Sequence, residues 1–216
     1  MPPEPLTPHT NFFGYLVDAG MEIDFLAEFA RTIDTLLREA AAKPAASSAE
    51  LPDSIAAIAS DRADLYTELF PPLVHEAFVI SVAIFMEREM RTYVDVLRMA
   101  FQTRLRFNDL NGSAIDRFRT YVEKVCTIDL GLPQAMWQDL DAVFAIRNCL
   151  VHAFGVTEEF RQLPAILAFI KRHRTPAIQD GRLKVSSETC TVLLRIIREV
   201  VDAIYGAALT HFPRHT

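Results

Sequence analysis

The chain has 216 residues, half of them hydrophobic and 23% charged, with a formal net charge of −6. That length suits one domain with a helical extension, and the composition excludes wholesale disorder. A chain this acidic does not coat nucleic acid over its whole surface, although it remains compatible with a local basic groove.

Seven glycines and almost no alternation of polar and apolar residues define an all-α fold class. The opening MPPEPLTPHT holds four prolines and an acid but no basic region ahead of an apolar stretch, so it does not read as a secretory signal. Residues 1–11 read as a flexible lead. Phe25, Phe29, Ile33, Leu36 and Leu37 recur at helical spacing and predict a helix over 12–42. KPAASSAELPDS, 43–54, reads as a loop, with IAAIAS as a short helical turn inside the connection. Residues 1–60 thus form an N-terminal helix and linker that pack on a helical domain, 61–216.

A long helix is predicted over 62–106, with a kink at Pro71-Pro72. Its longest apolar run, AFVISVAIFM at 77–86, is half the length that spans a bilayer, so no membrane association is expected. FNDLNGS at 107–113 is turn chemistry, and Ser113 is placed to cap a helix over 114–126. Pro133 opens the next helix, which runs to about residue 153 before Gly155. Thr157-Glu158-Glu159 starts a helix over 158–173. A D-G turn in TPAIQDGRLKVS predicts a small β-hairpin near 176–186, and Ser186 or Ser187 caps a last helix reaching 211. The sum is an antiparallel helical bundle with an N-terminal helical extension and a small hairpin before the last helix.

Cys126, Cys149 and Cys190 are odd in number and widely spaced, which fits neither a disulfide framework nor a zinc site. A reducing, cytoplasmic setting is the expectation. The six histidines show no paired metal spacing, and His75 beside Glu76 reads as an ordinary helix position. No metal or other cofactor is expected. G-x-G-x-x-G, G-x-x-x-x-G-K-[ST] and G-x-S-x-G are absent. Two basic patches stand out, one with Arg98, Arg104, Arg106, Arg117, Arg119 and Lys124, the other with Lys171, Arg172, His173, Arg174, Arg182 and Lys184. The default reading of each is a solvated charged face.

The most informative stretch is AIRNCLVHAFG, 145–155. Met136, Leu140, Val143, Leu150 and Phe154 mark the apolar stripe of its helix, and Arg147 falls in the gap of seven. A guanidinium in a buried stripe costs several kcal/mol, roughly, unless it is paired. In the long helix Glu87 lies between the stripe residues Ile84 and Met90, so Glu87 and Arg147 are predicted to meet or to share a polar pocket. Asn148 and His152, four apart, lie on one edge of their helix. Arg147 and His152, five apart, diverge by about 140° around it. One helix does not aim both at one atom, whereas two copies facing across a two-fold axis do, which predicts a homodimer. Spacing alone leaves two readings open: a catalytic group, or a buried Glu–Arg pair with a histidine at the helix end.

IRNCLVH, with the acid of FME at 85–87 in the preceding long helix and the closing helix RIIREVVDAIYGAAL, resembles the HEPN superfamily of small helical proteins over most of 60–211. The family signature is R-x(4–6)-H near the end of a core helix, often with a polar residue after the arginine; here that residue is Asn148. The resemblance implies a HEPN-like bundle and a metal-independent RNA endonuclease, set in a toxin or phage-defence system with a possible antitoxin protein as partner. It implies that His152 moves the ribose 2′-hydroxyl or leaving-group proton, that Arg147 stabilises the scissile phosphate, that Asn148 orients it, and that Glu87 holds Arg147. Arg98, Arg104, Arg106, Arg117 and Arg119 would guide RNA towards the dimer cleft. The alternative is a non-catalytic dimer binding a protein partner, nucleotide or RNA through the same pocket.

Overall fold

In a computed structural model, which describes residues 7–47 and 64–212, six helices pack around one apolar core and a two-stranded hairpin closes one end. The all-α class and the hairpin before the last helix are as the sequence predicts. Helix α1, Pro8–Ser47, begins before and ends after the predicted 12–42, running through part of the expected loop. The rest of that loop and the IAAIAS turn lie outside the described residues.

Helix α2, Phe70–Ala100, carries Pro71 and Pro72 in its first turn, preceded by a π-helical turn over Leu65–Leu69. The prolines therefore fall where the π-helical turn passes into the α-helix: Leu69 is itself helical and the Phe70 amide donates to the Leu65 carbonyl, so the helical backbone is continuous from Leu65. A proline lacks the N–H of a regular α-turn, and the wider π turn lies where those bonds are interrupted. The helix ends six residues short of the predicted 106, where Gln102 turns to φ 51°. By length and composition Leu65–Ala100 is long and apolar enough to cross a membrane, and a third of its most apolar window is buried inside the protein.

Ser113 caps α3, Ala114–Arg119, as predicted, accepting from the Asp116 amide while the Asp116 carboxylate accepts from the Ser113 amide. The helix then widens into a π-helical stretch, Thr120–Val125, rather than continuing as α to 126. Helix α4, Gln134–His152, follows Pro133 and stops at Gly155, whose φ of 76° suits a residue without Cβ. The Cys149 carbonyl accepts from both the Ala153 and Gly155 amides, closing the helix end.

Helix α5 starts at Leu163, five residues later than predicted. Thr157 does not cap it, because its hydroxyl and amide both donate to the Gly181 carbonyl, 2.9 Å each, tying it to the hairpin. Strands β1, Ala177–Gln179, and β2, Arg182–Lys184, pair antiparallel through Asp180 and Gly181, at φ 50° and 70°. Two positive φ values are what a tight type I′ hairpin needs. Ser186 caps α6, Ser187–His211, whose Leu193, Ile197, Val200, Ile204 and Ala208 run at helical spacing into the core.

The core between α1, α2 and α6 is aromatic. Phe12 contacts Tyr93, Tyr205 and Phe212 at centroid distances of 5.0, 6.2 and 5.8 Å, and Phe118 joins Tyr93 to Trp137 of α4. The acid that enters this core is Glu89, 6% exposed, which accepts from the Tyr205 hydroxyl at 3.0 Å and from the Arg88 guanidinium at 3.2 Å. Loss of water and the neighbouring carboxylate push the Tyr205 phenol far above its ordinary range.

Candidate functional site

Helices α2 and α4 run antiparallel. Tyr93 and Trp137 both meet Phe118, and six residues back along α2 and ten residues on along α4, Glu87 and Arg147 line one cleft. The cleft has a volume of about 620 Å³. Four segments build it: Glu87 of α2, the capped start of α3 with Asp116 and Arg117, the α4 face with Asp141, Arg147 and Asn148, and Arg161 and Gln162 leading into α5. Three guanidinium groups and three carboxylates thus converge on it.

Within the cleft a polar chain runs from Arg147 to Asn148 to Gln162. Arg147 Nη1 donates to Asn148 Oδ1 at 2.9 Å, and Asn148 Nδ2 donates to Gln162 Oε1 at 3.0 Å. Asn148 is fixed at both ends of its amide, and it fixes one edge of the Arg147 guanidinium. Among the described residues Arg147 has no carboxylate partner, so most of its N–H groups face the cleft's solvent. Asp141 on the wall has its carboxyl pushed up, chiefly by loss of water and then by Asp116, with Arg119 acting the other way.

The predicted Glu87–Arg147 ion pair is absent. Of the two predicted arrangements the shared pocket is the observed one. Glu87 Oε1 accepts from Arg91 Nη2 at 2.7 Å, one helical turn on, and both side chains are partly exposed. Arg147 is half-buried rather than sunk in the stripe, which runs instead through Leu140, Val143, Ile146 and Leu150. Ile84, taken as core, is 55% exposed, and the same shift in register puts Glu89, not Glu87, inside.

His152 is exposed at the last turn of α4 and does not line the cleft that Arg147 enters. The angular divergence expected from their five-residue spacing is what keeps them apart. Phe154 lies two residues on, 80% exposed and held at φ 50°, an unusual state for a bulky residue.

Of the five arginines expected to guide RNA, Arg117 reaches the cleft, with its guanidinium 4.9 Å from the Phe107 ring centroid and a 3.4 Å bond to Asn108. Arg104 and Arg106 are exposed outside it. Arg98 leans on Asp95 at 3.5 Å, and Arg119 is held by Glu123 at 3.0 Å and lies over Trp137. In the second basic patch Arg172 and His173 are not a solvated face: both bond the buried Asp139 of α4, His173 at 3.0 Å.

Arg161 and Gln162 are the cleft residues that sequence reasoning missed. They sit in the irregular Thr157–Gln162 turns, where no periodicity points to a face. Among the described residues no group of three or more His, Cys, Asp and Glu side chains is arranged to hold a metal ion. Comparison of the chain with family models, curated proteins and solved structures finds no match.

Proposed function

We propose that the protein is a HEPN-like, metal-independent RNA endonuclease whose phosphate site is the Arg147 cleft. The observation that carries this reading is the anchored Arg147–Asn148–Gln162 chain, which presents a half-exposed guanidinium with unused donors beside Arg117 and Arg161. A planar fork of N–H donors held from one side suits a phosphate, because it binds two oxygens at once. Asn148 positions that fork. Glu87 lines the wall opposite and is held there by Arg91, one turn on along the same helix.

In the reaction the ribose 2′-oxygen attacks phosphorus and the bond to the 5′-oxygen breaks. His152 takes the 2′-hydroxyl proton or supplies one to the leaving oxygen, and Arg147 stabilises the added charge on the phosphoryl oxygens. The products are a 2′,3′-cyclic phosphate and a 5′-hydroxyl. Since His152 lies outside the cleft of its own chain, it serves the cleft of a second copy, in a homodimer. Phe154, exposed beside it, offers a face for stacking an unpaired base. A toxin or phage-defence role, restrained by an antitoxin, fits an enzyme of this kind.

The test is cleavage of a mixed RNA pool by purified wild type and by His152→Ala. Wild-type cleavage in EDTA, yielding cyclic-phosphate ends and lost in the variant, is the expected result. Undiminished cleavage by the variant ends the catalytic reading.

One observation favours a second reading, a non-catalytic binding module: the separation of His152 from the cleft. In that case Arg147→Ala weakens RNA or nucleotide binding, and wild type cuts nothing.

A further inference from the structure

Helix α1 presents a second apolar face beside the one it buries. Phe25, Phe29 and Leu36 are 72, 51 and 53% exposed. They fall within about 40° of one another on the helix, roughly a third of a turn from the buried Phe12, Ala19 and Ile23. On α2, which runs antiparallel to α1, Leu73 and Ile84 are each 55% exposed on one side. Between the two rows lies an apolar groove of about 330 Å³ with no charged residue in its lining among the described residues, floored where Phe29 meets Phe78 at 6.4 Å.

We infer that this α1/α2 seam is the surface on which a second copy of the chain docks. Its area fits that occupant. At about 150–200 Å² per large apolar residue, these five offer roughly 430–570 Å² in their exposed fractions, and Met21 and Leu69, 51 and 50% exposed, extend that to about 580–770 Å². A standard interface takes about 800 Å² from each partner, and apolar patches on monomers rarely exceed about 600 Å². An antiparallel helix pair also maps onto itself when reversed, so a two-fold axis across the seam gives a four-helix layer. In that layer Phe25, the most exposed of the five, fills the other copy's groove.

The face is continuous with the cleft. Leu73, Ile80, Ile84 and Glu87 lie within about 60° on α2, so the row that meets the second copy runs directly to the cleft wall. Helix α4 runs antiparallel to α2, so from Arg147 its last turn, with His152, heads back alongside that row. The second copy thus borders the site through α1 and α2, rather than through two α4 helices packed on each other. The inference rests on the exposed face and stands without the nuclease reading.

Sedimentation velocity at 1–100 µM, in orders of magnitude that span ordinary dimer affinities, tests it on wild type, Phe25→Asp/Leu73→Asp and the control Leu167→Asp, which is exposed on α5. Wild type and control sediment as dimers. The seam variant, with unchanged far-ultraviolet circular dichroism, is a monomer, its dissociation constant raised by about 100-fold or more, since two charges per copy enter a dry contact. A wild-type monomer at the highest concentration overturns the inference. So does a monomer that floats with phosphatidylcholine–phosphatidylglycerol vesicles, which assigns the seam to a lipid surface, or a dimer indifferent to the seam variant. RNA cleavage on the same samples is read separately: dimers without cleavage sink the nuclease alone, and cleavage by a wild-type monomer sinks the docking together with the assignment of His152 to a second copy's cleft.

Discussion

Glu87 and Glu89 stand two residues apart on α2, and the fold treats them oppositely. Glu89 is 6% exposed and accepts from Tyr205 at 3.0 Å, next to a buried Tyr93 whose hydroxyl has no partner among the described residues. Replacing Glu89 by alanine strands the Tyr205 hydroxyl in the same aromatic pocket, at about 1–3 kcal/mol for an unsatisfied buried donor. It also leaves a void where the side-chain methylenes packed, for about a further 1 kcal/mol. Together these come to roughly 3 kcal/mol. Glu87 pairs with Arg91 one turn away, with both side chains partly in water, and an i,i+4 pair of that kind contributes about 0.3–0.5 kcal/mol. For a chain of this length about 1 kcal/mol moves Tm by about 2–4 °C, so Glu89→Ala is expected to melt roughly 6–12 °C below wild type and Glu87→Ala within about 2 °C of it. Urea titration and thermal melts followed by circular dichroism measure both. A Glu87→Ala loss equal to that of Glu89→Ala refutes the reasoning and restores Glu87 as the buried partner of Arg147.

The three thiols are buried and free, and burial pushes Cys126 up to about 11 and Cys190 up to about 12. They are expected to resist Ellman's reagent in the native protein at pH 8 and to react fully in guanidinium chloride; rapid native reaction contradicts their burial. Because these folded-state values exceed the ordinary 9.0, the stability they carry is complete below pH 9 and is lost as pH rises from there towards 11–12. The slope is about 1.4 kcal/mol per pH unit for each thiol, and a flat stability profile over that range refutes it. Ser186→Ala removes the cap that accepts the Thr189 amide and is expected to cost about 1 kcal/mol, seen as a lower urea midpoint with unchanged slope. Arg147→Ala breaks a bond to Asn148 alone, so it is expected to leave Tm within about 2 °C while removing RNA affinity; a large melting shift points to a structural role.

Helix starts were legible wherever a local cap or proline sets them: Ser113, Pro133 and Ser186 act as their sequence context predicts, and the D-G turn closes its hairpin. Thr157 shows why the next start was not legible. A long-range bond to Gly181 takes its cap chemistry, and nothing local marks that. The stripe of α2 was misphased because exposed apolar residues such as Ile84 compete with core ones for the same periodicity. Glu87 and Glu89, two residues and about 200° apart on the helix, take the opposite faces from those the stripe suggested. The juxtaposition of Arg147 with Asn148 follows from adjacency, whereas Arg161 and Gln162 reach the cleft through an irregular turn that carries no periodic signal. Asp139, which gathers Arg172 and His173 from α5, was hidden for a related reason: a buried acid in a polar stretch looks like a surface one.

The central claim is that the Arg147 cleft and His152 cut RNA together. Mixing His152→Ala with Arg147→Ala tests it most directly. Each variant alone is inactive, and in a mixed dimer one site keeps both an intact Arg147 and an intact His152 from opposite chains. The account predicts that subunit exchange restores cleavage to about a quarter of the wild-type rate: half of the dimers are mixed, and each has one intact site of two. A mixture as inactive as its components, under conditions where exchange is demonstrated, contradicts it.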